Sequence, residues 1–135
     1  MKIKCISNTG LAFKGYNMPH GHFETSEFCL AVGDEYTVMG IVLGEGLITY
    51  LIDDKGLVTL YPFQLFEVTD NRVSNRWFFK KYTKNDELYP FAEAVWGYYE
   101  LVFNDSHYEK LVDQDEDAYQ IYFKRKLEIE DYKTP

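Results

Sequence analysis

A chain of 135 residues is long enough for one domain with a sizeable core, and twelve tyrosines and ten phenylalanines supply much of the surface to fill it. No apolar run approaches the roughly 18 residues of a membrane span, and MKIKCISNTG lacks the long apolar stretch of a secretory signal. These features exclude a helical membrane protein and make the cytoplasm the expected compartment. A net charge of −8 sets the chain against nucleic acid, whose phosphates require clustered Lys and Arg.

KIKCI (Lys2–Ile6) alternates polar and apolar residues and reads as a strand. Cys5 lies within it, and Cys29 sits between Phe28 and Leu30; both are expected to be reduced and buried rather than paired. The segment 7–33 is rich in Gly, Asn and Ser and reads as an extended loop. Within it, PHGHF places His20 and His22 two apart, on one side of an extended chain. A zinc site needs further ligands, and Glu24, Glu27 and Cys29 stand at no recognised spacing, so a solvated pair is expected and no metal or cofactor.

EYTVMGIVL (Glu35–Leu43), LITYLID (Leu47–Asp53) and LVTLYP (Leu57–Pro62) are β-branched and aromatic runs divided by the turns GEG and DKG. FQLF and FEV follow at Phe63–Val68. The spacing predicts a meander closing into a small SH3-like antiparallel barrel, with Phe63, Leu65 and Phe66 at its end. An open antiparallel sheet of another topology is the alternative. RWFFKKY (Arg76–Tyr82) adds a strand or a bridge.

From Tyr89 the period becomes helical. Phe91, Val95, Tyr98 and Val102 fall at intervals of four, three and four, with Glu93 and Glu100 away from them. Asn104 or Asp105 ends this helix and caps the next, SHYEKLV. A third helix is expected over 115–131, with Ala118, Tyr119, Ile121, Tyr122, Phe123 and Leu127 as its apolar residues. The expected fold is a single α+β domain over 1–135: a β-rich SH3-like part at 1–82, then two or three packed helices at 83–135.

The charge is uneven along this scheme. Residues 1–85 carry nine bases and nine acids, while residues 86–117 carry ten acids and Lys110 alone, a net −9. A surface of that kind suits a basic protein partner. The stretch DQDEDAYQIYFK (Asp113–Lys124) has the first three oxygens of a calcium loop. It then offers Ala118 where the loop needs glycine and Lys124 where it needs a bidentate glutamate. The better reading is a helix start, with Asp113 or Asp115 as the cap and Glu116 and Asp117 in the first turn.

His107 has Asp105 and Glu109 nearby in the chain, but acid–base work requires geometry in a pocket, and both acids equally suit a helix start. The chain holds no G-x-S-x-G elbow and no glycine-rich phosphate loop, so catalysis is not expected. Tyr99 beside Glu100 and Tyr108 beside Glu109 combine aromatic rings with carboxylates, a composition suited to a protein-binding surface.

KCISNTG, FCLAVGDEYTVMGI, ITYLIDDKG, YPFQLFEVTDNRVSNRW and NDSHYEKLVDQDEDAYQIYF together resemble a group of small, mostly uncharacterised bacterial proteins with an SH3-like β region and a helical tail. Some bacterial proteins of this size and acidity are immunity proteins, which neutralise a toxin domain by binding it. The resemblance implies a non-enzymatic inhibitor of a basic toxin such as a nuclease. Charge places its electrostatic face at Glu93, Glu100, Asp105, Glu109, Asp113, Asp115, Glu116 and Asp117, with Tyr99 and Tyr108 as anchors. The alternative is an SH3-like module binding a peptide or small molecule, with purely structural helices.

Overall fold

A computed structural model of the chain describes residues 1–13 and 27–132. Its strands form two open antiparallel sheets. In the smaller, β1 (Lys2–Cys5) lies between β2 (Glu35–Thr37) and β6 (Phe66–Asp70). The larger runs in the order β5 (Leu57–Pro62), β4 (Leu47–Asp54), β3 (Gly40–Gly44), β8 (Ala94–Gly97) and β7 (Phe78–Lys81). Three helices end the chain: α1 (Tyr99–Phe103), α2 (His107–Val112) and α3 (Glu116–Tyr132). The expected α+β class and meander are therefore present, and among the described residues no ring of strands closes into a barrel.

The hairpins follow from their turn residues. Glu45 and Gly46 link β3 to β4 with φ of 51° and 75°, and Lys55 and Gly56 link β4 to β5 with 52° and 82°. Positive φ at both central residues is the type I′ geometry, whose twist matches that of paired strands. The EYTVMGIVL run, expected as one strand, is two. After Thr37 the chain leaves the small sheet: Val38 N–H donates to the Met1 carbonyl at 3.0 Å and Met39 N–H to the Leu51 carbonyl at 2.8 Å. Hydrogen bonding thus passes from one sheet to the other within two residues.

Alternation along β4 divides the interior. Tyr50 and Ile52 enter a cluster with Ile3, Cys5, Phe13, Val38, Leu65 and Phe66 around the small sheet. Leu51, between them, points the other way into a cluster with Met39, Val95, Val102, Leu111 and Tyr122 beneath the helices. Each of the larger apolar side chains so buried contributes about 1.5–3 kcal/mol. Phe66 packs edge-on against Tyr36, Tyr50 and Tyr61. Of the three residues expected at a barrel end, Phe66 and Leu65 instead belong to the small-sheet core, and the partly buried Phe63 packs against it.

The helix expected from Tyr89 to Val102 is corrected. Ala94–Gly97 is a strand that completes the large sheet between β3 and β7, and only Tyr99–Phe103 is helical. Val95 is buried in either arrangement, so a helical spacing of four such residues did not discriminate. Val and Trp favour strands, Gly97 disfavours a helix, and two neighbouring edges needed a partner. The helical part accordingly does not begin at residue 83, since β8 belongs to the sheet.

Two smaller expectations also change. Cys5 is wholly buried, but Cys29 is exposed, and both are free thiols. Leu127, counted among the apolar residues of α3, is 63% exposed, while Ala118, Tyr122 and Ile129 make the buried stripe. His20 and His22 lie outside the described residues.

Candidate functional site

Helix α2 is pinned by two side chains on its inner face, His107 and Leu111, both about 1% exposed. Asn104 ends α1 as expected, its side-chain oxygen accepting from the Ser106 hydroxyl at 2.8 Å, and its carbonyl accepts the His107 N–H at 2.9 Å. Ser106, rather than Asn104 or Asp105, is the residue preceding α2. With 107 and 111 turned inward, the helical period carries Tyr108 and Val112 onto one outer strip and Glu109 and Asp113 onto the next.

The turn into α3 is built by backbone chemistry. Gln114 adopts φ of 58°, its N–H donates to the Leu111 carbonyl at 3.0 Å, and Asp115 N–H donates to the Lys110 carbonyl at 2.9 Å. This is a Schellman termination with a non-glycine residue in the left-handed position. Asp115 then starts the next helix: its Oδ2 accepts the Ala118 N–H at 3.1 Å, the bond of an N-cap. The aspartate stretch Asp113–Asp117 is thus a helix junction, and from Glu116 onward the residues are helical.

An aromatic pair flanks this corner. Phe91, 48% exposed, stacks on Tyr108 with centroids 5.8 Å apart and an interplanar angle of 28°. Phe91 reaches this place because Gly44 has no side chain; a Cβ there would collide with the Phe91 carbonyl. Val112 extends the strip, 59% exposed. Burial raises the Tyr108 pKa, so its phenol stays neutral. The outer side of α2 thus presents Val112 and the half-buried Tyr108, with Phe91 from the segment before β8 stacked on the tyrosine, as an apolar ridge beside carboxylates.

The ten residues singled out in the sequence separate in space. Tyr108, Glu109, Asp113, Asp115, Glu116 and Asp117 come together at the α2–α3 corner. Glu109, Asp113, Glu116 and Asp117 are exposed there, and none of the ion pairs among the described residues engages them. Glu93 is drawn to the β3–β4 turn, where it accepts the Gly46 N–H at 3.3 Å. Asp105 pairs with Lys80 of β7 at 3.6 Å.

Glu100 is neutralised. Its two oxygens accept from Arg125 Nε and Nη2 at 2.8 and 2.7 Å, and Arg125 also reaches Glu128 at 3.0 Å. These hydrogen bonds hold the Glu100 carboxyl below its ordinary pKa despite partial burial. A neighbouring cation, Lys126, pairs with Asp53 of β4 at 2.9 Å, and Asp53 also accepts from the Tyr122 hydroxyl at 2.9 Å. Two of the three cations of α3, Arg125 and Lys126, thus serve its docking onto α1 and β4 rather than screening the corner.

Tyr99 belongs to a different surface. It packs with Phe78 and Phe103, all three 44–52% exposed, beside a pocket of about 340 Å³ whose lining includes Arg76, Arg125, Glu128 and Ile129. Sequence reasoning missed Phe91 and Val112 at the corner, and Phe78 and Phe103 beside Tyr99. The i+4 spacing of Val112 from Tyr108 was the available signal for the first surface. No signal linked Phe91 to Tyr108, because the pairing depends on how the chain between them folds.

His107 faces neither Asp105 nor Glu109. Its Nε2 lies 2.5 Å from the Tyr98 hydroxyl beneath α2, and burial lowers its pKa, with Glu100 opposing and Lys110 reinforcing the shift. Compared with known protein families, curated proteins and solved structures, the chain matches none.

Proposed function

We propose that the chain is a non-enzymatic protein-binding protein of the immunity type, which neutralises a basic toxin domain such as a nuclease by docking it on the α2–α3 corner. The observation that carries this reading is the outer face of α2. There an apolar ridge of Phe91, the half-buried Tyr108 and Val112 lies along the exposed carboxylates Glu109 and Asp113, with Glu116 and Asp117 across the Gln114 turn at the start of α3.

The two components have separate tasks. Carboxylates outside any ion pair raise the encounter rate with a cationic surface, most strongly at low salt. Rings already stacked lose little conformational freedom on contact and slow dissociation. The contact set is narrower than charge alone indicated: Glu100 and Asp105 are engaged by Arg125 and Lys80. The SH3-like character of the β region remains part of this reading through the resemblance to small bacterial proteins, and inhibition by covering an active site requires no chemistry of its own.

The test is co-expression with the toxin-like product of a neighbouring open reading frame. The chain is expected to co-purify with it and restore growth, and Glu109→Lys with Asp113→Lys and Glu116→Lys should abolish both while leaving the melting temperature close to that of the parent. Rescue that is indifferent to the three reversals, or failure of the pair to associate, overturns the proposal.

A further inference from the structure

β7 is an edge strand, paired among the described residues with β8 alone. Tyr82 N–H donates to the Glu93 carbonyl at 2.9 Å, which fixes the parity of this antiparallel ladder. Phe78, Lys80 and Tyr82 turn their backbone groups toward β8, whereas the N–H and C=O groups of Phe79 and Lys81 point outward from the sheet. An open edge of this kind is a template for another strand, and proteins usually blunt it.

This edge is only half blunted. Phe78 and Phe79 are 44% and 51% exposed. Side chains alternate across a strand, so the two rings flank the edge on opposite faces: Phe78 stands 5.6 Å from both Tyr99 and Phe103, and Phe79 lies 4.8 Å from Trp96. The charge is also local and unusual. Residues 76–84 hold four cations and no acid in a protein of net −8.

We propose that β7 accepts an extended acidic peptide as a sixth strand of the large sheet. The peptide backbone bonds to Phe79 and Lys81, its apolar residues cover Phe78 and Phe79, and its carboxylates lie beside Lys81. A second copy of the chain fits less well. Symmetric pairing about Lys80 sets Lys80 of one copy directly against Lys80 of the other, and like charges directly opposite destabilise a ladder. This surface is separate from the α2–α3 corner and takes a partner of opposite charge, so neither proposal rests on the other.

The probe is a fluorescein-labelled peptide, Thr-Glu-Glu-Val-Val-Thr, whose antiparallel register sets Glu against Lys81 and Val against Phe79. Fluorescence anisotropy with the full chain at low salt is expected to saturate. Methylating the peptide nitrogens of the first Val and the first Glu (those opposite Phe79 and Lys81) should weaken binding about tenfold or more, since backbone bonds are lost with the side chains unchanged. Lys81→Pro should do the same and still fold, because the Lys81 N–H takes no part in the ladder with β8. Lys81→Glu should weaken binding through charge alone. Absence of saturation, equal affinity for the methylated peptide, or indifference to Lys81→Glu overturns the proposal. So does a dimer in sedimentation that Lys81→Pro dissolves, because the edge then belongs to a second copy.

Discussion

The Tyr98 hydroxyl and His107 Nε2 meet at 2.5 Å in a site from which both side chains are almost wholly withdrawn from water. Burial raises the Tyr98 pKa, so the phenol keeps its proton and donates; Nε2 accepts, and the ring proton resides on Nδ1. Burial also lowers the His107 pKa from 6.5, and the unfolded chain therefore binds a proton before the folded one does. The contribution is neutral above about pH 6.5 and becomes destabilising as pH falls from there toward the folded pKa, where it levels off. Urea midpoints followed by tryptophan fluorescence between about pH 8 and pH 5 should fall accordingly. His107→Gln, which retains an acceptor for Tyr98, should flatten that slope; an unchanged slope assigns it to other groups.

Glu100 and Arg125 join α1 to α3 through two charge-assisted bonds with side chains only 20–30% exposed. A double-mutant cycle of Glu100→Gln and Arg125→Met is expected to give a coupling of about 1 kcal/mol. Because the Glu100 pKa is lowered from 4.5, this stabilisation is present above pH 4.5 and is lost as the pH falls below it, whereas the His107 effect sets in already below about pH 6.5. A coupling indistinguishable from zero removes the pair from the account of how α3 is held.

Asp115 and Asp117 stand two residues apart in the same acidic run with different tasks. Asp115→Ala removes the cap of α3 and should cost about 1 kcal/mol in chemical denaturation. Asp117→Ala, exposed in the first turn, should cost less than about 0.5 kcal/mol. Equal costs deny Asp115 its special position.

The two thiols should differ in reactivity. Cys5 is wholly buried, donates to the Ser7 carbonyl at 3.3 Å, and has its pKa raised by burial; Cys29 is exposed. Native protein treated with iodoacetamide should be modified once, at Cys29, and twice in urea, as mass spectrometry of the peptides reads directly. Modification of Cys5 in the native state contradicts the packing of β1.

Local signals carried far and then failed at defined points. The turns at Glu45–Gly46 and Lys55–Gly56, the start of α3 at Asp115 and its run to Tyr132 are all written in neighbouring residues. Ala94–Gly97 was misread because a four-residue buried strand and a helical face both ask for apolar residues, and only the vacancy between β3 and β7 decides. The division of Glu35–Leu43 between two sheets is equally a property of partners. At the candidate site, the charge of the 109–117 segment was legible. The capture of Glu100 by a residue 25 positions away was not, since carboxylates of identical local character differ only in which cations the fold brings to them.

Helix α3 supplies Ala118, Tyr122 and Ile129 to a core whose other members begin at Met39, and it clasps Asp53 through Tyr122 and Lys126. During synthesis on the ribosome, the face of β4 that carries Leu51 waits uncovered until the last quarter of the chain has emerged. For that interval the nascent polypeptide presents an oily sheet surface, the kind of transient exposure that favours aggregation over folding until α3 arrives.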